Sequence, residues 1–327
     1  MAAASRLADP TKQLLERTDV FIFDCDGVIW KGDSLIDGVP AVLDALRAAG
    51  KKCFFVTNNS TKSRKGYKSK FDELGLNVAP EEIFSSSFAA AAYLEQIRFK
   101  TGKKVYIIGE VGIEEELDLL GIPHIGGPSD KDKAATHVLP YFLPSSVPFA
   151  ASSSLPPQNP GHHGFNPPAR LFSPTSFSAV VVGFDRHINY YKIQYAQLCI
   201  NENPGCEFVA TNMDAVTHLT DAQEWAGNGA MVGAIKGCTG QEPTLVGKPS
   251  PLMIDYIVEK FGVPRGRICM VGDRLDTDVL FGSNNGLMSC LTLSGVTTEK
   301  KLLSKENIIC PDFYVDSIVD FFPLVPV

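Results

Sequence analysis

Short apolar runs alternate with stretches of helical spacing along this chain. The runs 19–24, Lys52-Cys53-Phe54-Phe55-Val56-Thr57, Lys104-Val105-Tyr106-Ile107-Ile108, Ala179-Val180-Val181-Val182-Gly183-Phe184, Glu207-Phe208-Val209-Ala210 and Ile268-Cys269-Met270-Val271 are rich in β-branched and aromatic residues. Nearly continuous runs of that length predict strands covered on both faces, the condition found in parallel sheets. Segments 41–49, 62–75 and 250–262 carry the apolar period of amphipathic helices. Asp9 to Glu16 reads as a short capped helix ahead of the first strand. The alternation predicts an α/β fold built on a doubly wound, Rossmann-like parallel sheet.

One segment breaks the rhythm. From about Leu139 to Phe177 the chain is dense in proline and serine, and Arg170 is its only fully charged residue. Such a composition supports neither helix nor ladder, so a mobile loop is expected. Its His162-His163 pair has no further ligand at metal spacing and reads as a surface pair.

Composition narrows the range of functions. With 327 residues, 44% of them hydrophobic and 20% charged, the chain can fill a large core and divide into two domains. A net charge of -7 argues against wrapping a nucleic acid. No run approaches the ~20 apolar residues that cross a bilayer, and the start of the chain has no long apolar leader core, so neither membrane nor secretion is expected. The acid-bearing helix near that start suits the cytosol better than an organelle. The eight scattered cysteines form no C-x-x-C, which speaks against zinc or a disulfide framework.

Four strand ends carry the chemistry. Phe21-Ile22-Phe23-Asp24-Cys25-Asp26-Gly27 delivers two carboxylates into a glycine turn. Asp24 suits nucleophilic attack on a phosphorus, since a carboxylate is anionic at neutral pH and can split hydrolysis into two displacements. Asp26 suits the proton transfers. Val56-Thr57-Asn58-Asn59-Ser60 ends a strand in hydroxyls and amides, with Thr57, Asn58 and Asn59 as phosphate contacts. Gly247-Lys248-Pro249 presents a lysine that can offset anionic charge and hold the nucleophile. Gly272-Asp273 opens a turn that reaches Asp278. A hard cation with oxygen ligands, Mg²⁺, fits Asp24, Asp26 and Asp273, with Asp278 supporting the shell. Taken separately each segment also reads as an ordinary helix cap or charged turn. Jointly they converge on the edge where open α/β sheets bind ligands.

In this order the four segments resemble the haloacid dehalogenase superfamily of phosphatases: Asp-x-Asp-Gly at 24–27, Thr57, Lys248 and Gly-Asp-x-x-x-x-Asp at 272–278. The longer stretches Asp24 to Trp30, Val56 to Ser60, Val246 to Ser250 and Val271 to Asp278 are similar to its phosphoglycolate, pyridoxal and 4-nitrophenyl phosphatase group, most nearly the plant phosphoglycolate phosphatases. The resemblance implies that Asp24 is phosphorylated, that Asp26 is the acid/base, and that Asp24, the Asp26 backbone carbonyl and Asp273 bind Mg²⁺. It implies a catalytic core at 1–88 and 243–327, an inserted α/β cap at 89–242, and a homodimer formed through the cap. In the cap, Thr211 to Asp214 and His218 are where a substrate carboxylate would be met. Gly227-x-Gly229-x-x-x-Gly233 reads as the start of a cap helix rather than a dinucleotide loop.

The resemblance further implies that segment 139–177 is an insertion into the cap. Deleting 140–177 is expected to change stability or turnover through the cap while leaving the core chemistry intact. The expected activity is Mg²⁺-dependent hydrolysis of a small phosphomonoester, 2-phosphoglycolate first and pyridoxal phosphate second. A catalytically silent phosphate sensor and a phosphotransferase are the competing readings.

Overall fold

The first apolar run becomes an interior strand, next to the central one, of a seven-stranded parallel sheet in a computed structural model, which describes residues 4–99, 102–134, 177–220 and 223–322. The strand order is Ser5–Arg6, Phe313–Val315, Met288–Thr292, Ile268–Gly272, Val20–Phe23, Lys52–Thr57 and Ile83–Ser85. Every pairing in it is parallel. After the edge strand Ser5–Arg6 the chain enters the interior of the sheet at Val20–Phe23, moves outward through Lys52–Thr57, and returns on the other side through Ile268–Gly272. That reversal beside Val20–Phe23 is the switch point of a doubly wound sheet.

Both faces of Val20–Phe23 are covered, as its unbroken apolar run requires. Val20 and Ile22 pack to one side with Phe54, Val56 and Met270. Phe21 and Phe23 pack to the other with Phe55, Trp30 and Phe71. Each fully buried side chain of this size contributes roughly 1.5–3 kcal/mol.

A second parallel sheet follows the order Thr244–Leu245, Glu207–Ala210, Phe177–Val182, Lys104–Ile108 and His124–Gly126. Alternate residues again face opposite cores. Val105, Ile107, Ala179 and Val181 pack in the cluster that includes Ala89–Ala91 of the helix Ser86–Gln96. Tyr106, Ile108, Val180 and Val182 pack with residues of Tyr190–Glu202 and Asn228–Thr239. The glycine-spaced segment from 227 therefore does open a helix. The expected domain boundary at 242/243 falls just ahead of Thr244–Leu245, which joins the second sheet.

The run expected at 179–184 is a strand over Phe177–Val182. Apart from Phe177, the proline- and serine-rich segment with His162 and His163 lies outside the described residues. Among the described residues, no helix is long and apolar enough to cross a membrane.

The two units are tied together beside the sheet edge. Glu116, on the helix Val111–Leu119, is 1% exposed and accepts from the Arg64 backbone N–H at 2.6 Å and from its Nη2 at 2.9 Å. Arg64 begins the helix Arg64–Glu73, immediately after the polar loop that follows Thr57. Glu116→Ala is expected to cost about 2–3 kcal/mol, below the range for a fully buried pair because the freed guanidinium can rehydrate. Urea titration of the variant checks this.

Candidate active site

Asp24 follows the strand Val20–Phe23 directly, and its N–H donates to the Val271 carbonyl at 2.8 Å, which fixes it against the neighbouring strand end. Thr57 is the last residue of its strand, and Asp273 follows the last residue of another. Lys248 arrives from the second sheet through a turn whose Val246 N–H donates to the Ala210 carbonyl. All four side chains are buried.

Lys248 holds the group together. Its Nζ lies 2.7 Å from Asp24 Oδ1, 2.7 Å from Asp278 Oδ1 and 2.9 Å from the Val56 carbonyl. Burial works to lower its pKa, but the two carboxylates overcome that and raise it, so it is a fixed cation. Asp278 sits in a π-helical turn, Leu275–Val279, and its Oδ2 accepts from the backbone N–H groups of Asp273 and Arg274 at 3.1 and 3.0 Å. It thus anchors both Lys248 and the turn that carries Asp273.

A carboxylate oxygen from each of Asp24, Asp273 and Asp278 lies within 4.8 Å of the others. Three buried acids there face one ammonium. Burial, followed by the attraction of Lys248 and the repulsion of the other two acids, leaves Asp24 well above the usual carboxylate range. Burial and then Asp278 push Asp273 up to about 7. Asp273 Oδ2 accepts from the Val296 N–H at 2.6 Å, while its buried Oδ1 has no hydrogen-bond partner. An orphaned, buried carboxyl oxygen beside two further carboxyl groups is the donor set a hard divalent cation takes. The residues present therefore fit Mg²⁺.

Gly27 explains why the acid pair runs into a glycine. Its φ is +79°, and a Cβ there would stand 2.5 Å from Asp273 Oδ2. Gly27→Ala should displace that carboxylate and weaken divalent-cation binding about 10- to 100-fold, the usual range for groups that orient a ligand. Calorimetric titration with Mg²⁺ measures it.

Asp26 differs from Asp24 in being exposed. Its Oδ1 accepts from Trp30 Nε1 at 2.8 Å, and the Gly27 N–H donates to the Trp30 carbonyl at 2.7 Å. Trp30 thus orients Asp26 at the rim of the cluster. The carboxylate that completes the cluster is that of Asp278.

The side chains of the amides after Thr57 have partners within the protein. In Asn58, one of the expected phosphate contacts, the side-chain Oδ1 accepts from the Lys248 N–H at 2.7 Å and Nδ2 donates to the Lys248 carbonyl at 3.0 Å. That side chain braces a turn. Asn59 is exposed and its Oδ1 accepts from Thr61 N and Oγ1, folding it over its own loop. Thr57 is 2% exposed at the strand end, and its Oγ1 accepts from the Asn59 N–H at 3.1 Å.

The Thr211–Asp214 turn also makes contacts within the protein. Asn212 Nδ2 donates to Asp214 Oδ2, and Asp214 faces Asn58 and Arg274. His218 falls in the strand Val216–Thr220, its side chain outside the described part. The loop 294–297 went unrecognised in the sequence: besides the Val296 N–H, Ser294 Oγ donates to the Gly27 carbonyl at 2.6 Å. Its only signal is the Ser294-Gly295 pair after a strand.

Comparison with known proteins fits this geometry. The haloacid dehalogenase-like hydrolase profile matches residues 21–123, and a HAD-hydrolase-like profile matches 245–321. Phosphoglycolate phosphatase 1A, chloroplastic, of Arabidopsis thaliana is 56% identical over 320 residues, 98% of this chain and 81% of that protein. This chain belongs to the haloacid dehalogenase-like hydrolases. Phosphoglycolate phosphatase 2 of the same plant is 50% identical to this hydrolase, over 96% of this chain and 95% of that one. Among solved structures, p-nitrophenyl phosphatase from Archaeoglobus fulgidus superposes with a TM-score of 0.73 at 27% identity, covering 94% of this chain and 99% of that one. The 56%-identical relative is a chloroplast protein by name, which differs from the cytosolic location expected above.

Proposed function

We propose that this hydrolase cleaves a small phosphomonoester, 2-phosphoglycolate first among them, to an alcohol and inorganic phosphate. The observation that carries the proposal is the contact of Lys248 Nζ with both Asp24 and Asp278 at 2.7 Å, within an acid cluster completed by Asp273. The choice of ester rests on the printed names of the relatives at 56% and 50% identity.

In this mechanism an Asp24 oxygen attacks phosphorus, the bond from phosphorus to the ester oxygen breaks, and Asp26 gives that leaving oxygen its proton. Asp26 then takes a proton from water as the water attacks the aspartyl phosphate, releasing phosphate and regenerating Asp24. Lys248 fixes the Asp24 rotamer and offsets charge that builds on the phosphoryl oxygens. Thr57 would meet those oxygens from the neighbouring strand end. A Mg²⁺ held by Asp24 and Asp273 would supply further positive charge at that position.

The test is a panel of 2-phosphoglycolate, pyridoxal phosphate and 4-nitrophenyl phosphate, each assayed with Mg²⁺ and with a chelator. The proposal predicts Mg²⁺-dependent turnover with the highest kcat/KM for 2-phosphoglycolate. Preference for pyridoxal phosphate would reassign the substrate, and absence of turnover on all three would refute the activity.

A further inference from the structure

A loop of the second domain reaches the backbone of the proposed catalytic lysine. Asp214 is secured within its own domain: its carbonyl accepts from the Gly229 N–H at 2.9 Å, and Asn212 Nδ2 donates to its carboxylate. The Asn212 carbonyl in turn accepts from the buried Asn228 Nδ2 at 2.8 Å. From this fixed position Asp214 Oδ2 accepts from Asn58 Nδ2 at 3.3 Å. Asn58 is the residue whose amide closes on the N–H and carbonyl of Lys248 at 2.7 and 3.0 Å.

The carboxylate reinforces how that amide stands. With Asp214 and the Lys248 carbonyl both accepting, Nδ2 must face them; rotated by half a turn, Oδ1 would confront two oxygens while Nδ2 met an N–H. A second contact converges on the same turn. The Thr211 carbonyl comes so near Gly247 that a Cβ on that glycine would lie 2.2 Å from it. Thr211 Oγ1 also donates to Ser60 Oγ at 3.3 Å. On the other side, Arg274 Nη2 stands 4.0 Å from Asp214 Oδ1. The loop is therefore seated between two core segments, one following Thr57 and one following Asp273.

We infer that Asp214 is a positioning residue: through Asn58 the second domain sets the Lys248 backbone, so that its ammonium meets Asp24 and Asp278 only while the Thr211–Asp214 loop is seated on the core. The inference rests on the proposed role of Lys248. It makes the second domain part of the catalytic geometry as well as a cover for it. Because Asp214 need not touch substrate, its loss should act on kcat and leave KM nearly unchanged.

The full-length chain, assayed with 4-nitrophenyl phosphate and Mg²⁺, tests this. Asp214→Ala is expected to lower kcat about tenfold with KM within about twofold, and Asp214→Asn, which keeps an oxygen for Asn58, to recover most of the loss. In an Asn58→Ala background, where the link is already cut, Asp214→Ala should cost less than about twofold more. Asp214→Ser is polar but too short to reach Asn58; it should match the alanine variant and gives the same answer if that variant does not fold. An unchanged kcat in both variants, a loss equally large in the Asn58→Ala background, or an asparagine variant as impaired as alanine would overturn the coupling. Those results leave the proposed chemistry standing if Asp24→Asn is inactive in the same assay. Activity in Asp24→Asn would overturn the chemistry itself.

Discussion

Asp24→Asn is expected to reduce turnover by at least about 10⁴-fold, the scale reached when a nucleophile that acts together with its partners is removed. The change is nearly isosteric, so the fold should survive it. Asn keeps an oxygen that can accept from Lys248 Nζ, now at 2.7 Å from Asp24 Oδ1, but an amide cannot form the acyl phosphate. The substitution also removes one of three buried acids clustered within 4.8 Å. Burial and the neighbouring carboxylates raise the Asp24 pKa, so losing that charge relieves repulsion. The variant should therefore be at least as stable as the parent in the absence of a cation while being inactive. Thermal unfolding and steady-state assays on one preparation check both halves, and their opposite signs separate a chemical role from a structural one.

Lys248→Met is expected to lower kcat/KM by about 10²–10³-fold, the usual loss when one preorganised charge partner is removed. Unlike the Asp24 substitution it should also destabilise the protein. Asp24 and Asp278 are 8% and 1% exposed, and without the ammonium they lose their counter-charge. Breaking a buried pair on one side costs about 3–5 kcal/mol. The sign with pH follows from the raised carboxyl pKa of Asp24. Between its unfolded and folded pKa values the folded state binds more protons than the unfolded one, so stability rises as pH falls. Removing Lys248 raises the folded value further and widens that window. The variant should regain part of its lost stability on acidification, measured as urea midpoints across a pH series.

The strands and the charged centre were legible because each rests on a local pattern. Lys52–Thr57, Lys104–Ile108 and Glu207–Ala210 form over the residues their apolar runs marked. Asp24, Thr57 and Asp273 stand where a buried strand runs out, a place that has no packing use for an acid or a hydroxyl. The contact of the Asn58 side chain with Lys248 was not legible because the partner is 190 residues away in sequence; an amide beside a strand end has the same local signature whether it meets a ligand or a distant backbone. Val296 could not be found from its side chain, since what it contributes is a backbone N–H. Thr244–Leu245 has two residues, too few to carry a period. Asp278 was expected to support a cation's shell, and its contact with Lys248 appears only once the π-helical turn brings it inward.

The most direct test traps the phosphorylated enzyme. During turnover of a phosphomonoester with Mg²⁺, acid quenching followed by borohydride reduction of any acyl phosphate and peptide mass mapping should convert Asp24, and no other acid, to homoserine. Recovery of unmodified Asp24 while phosphate is released, or modification at Asp26, Asp273 or Asp278 instead, would contradict the assignment of Asp24 as nucleophile.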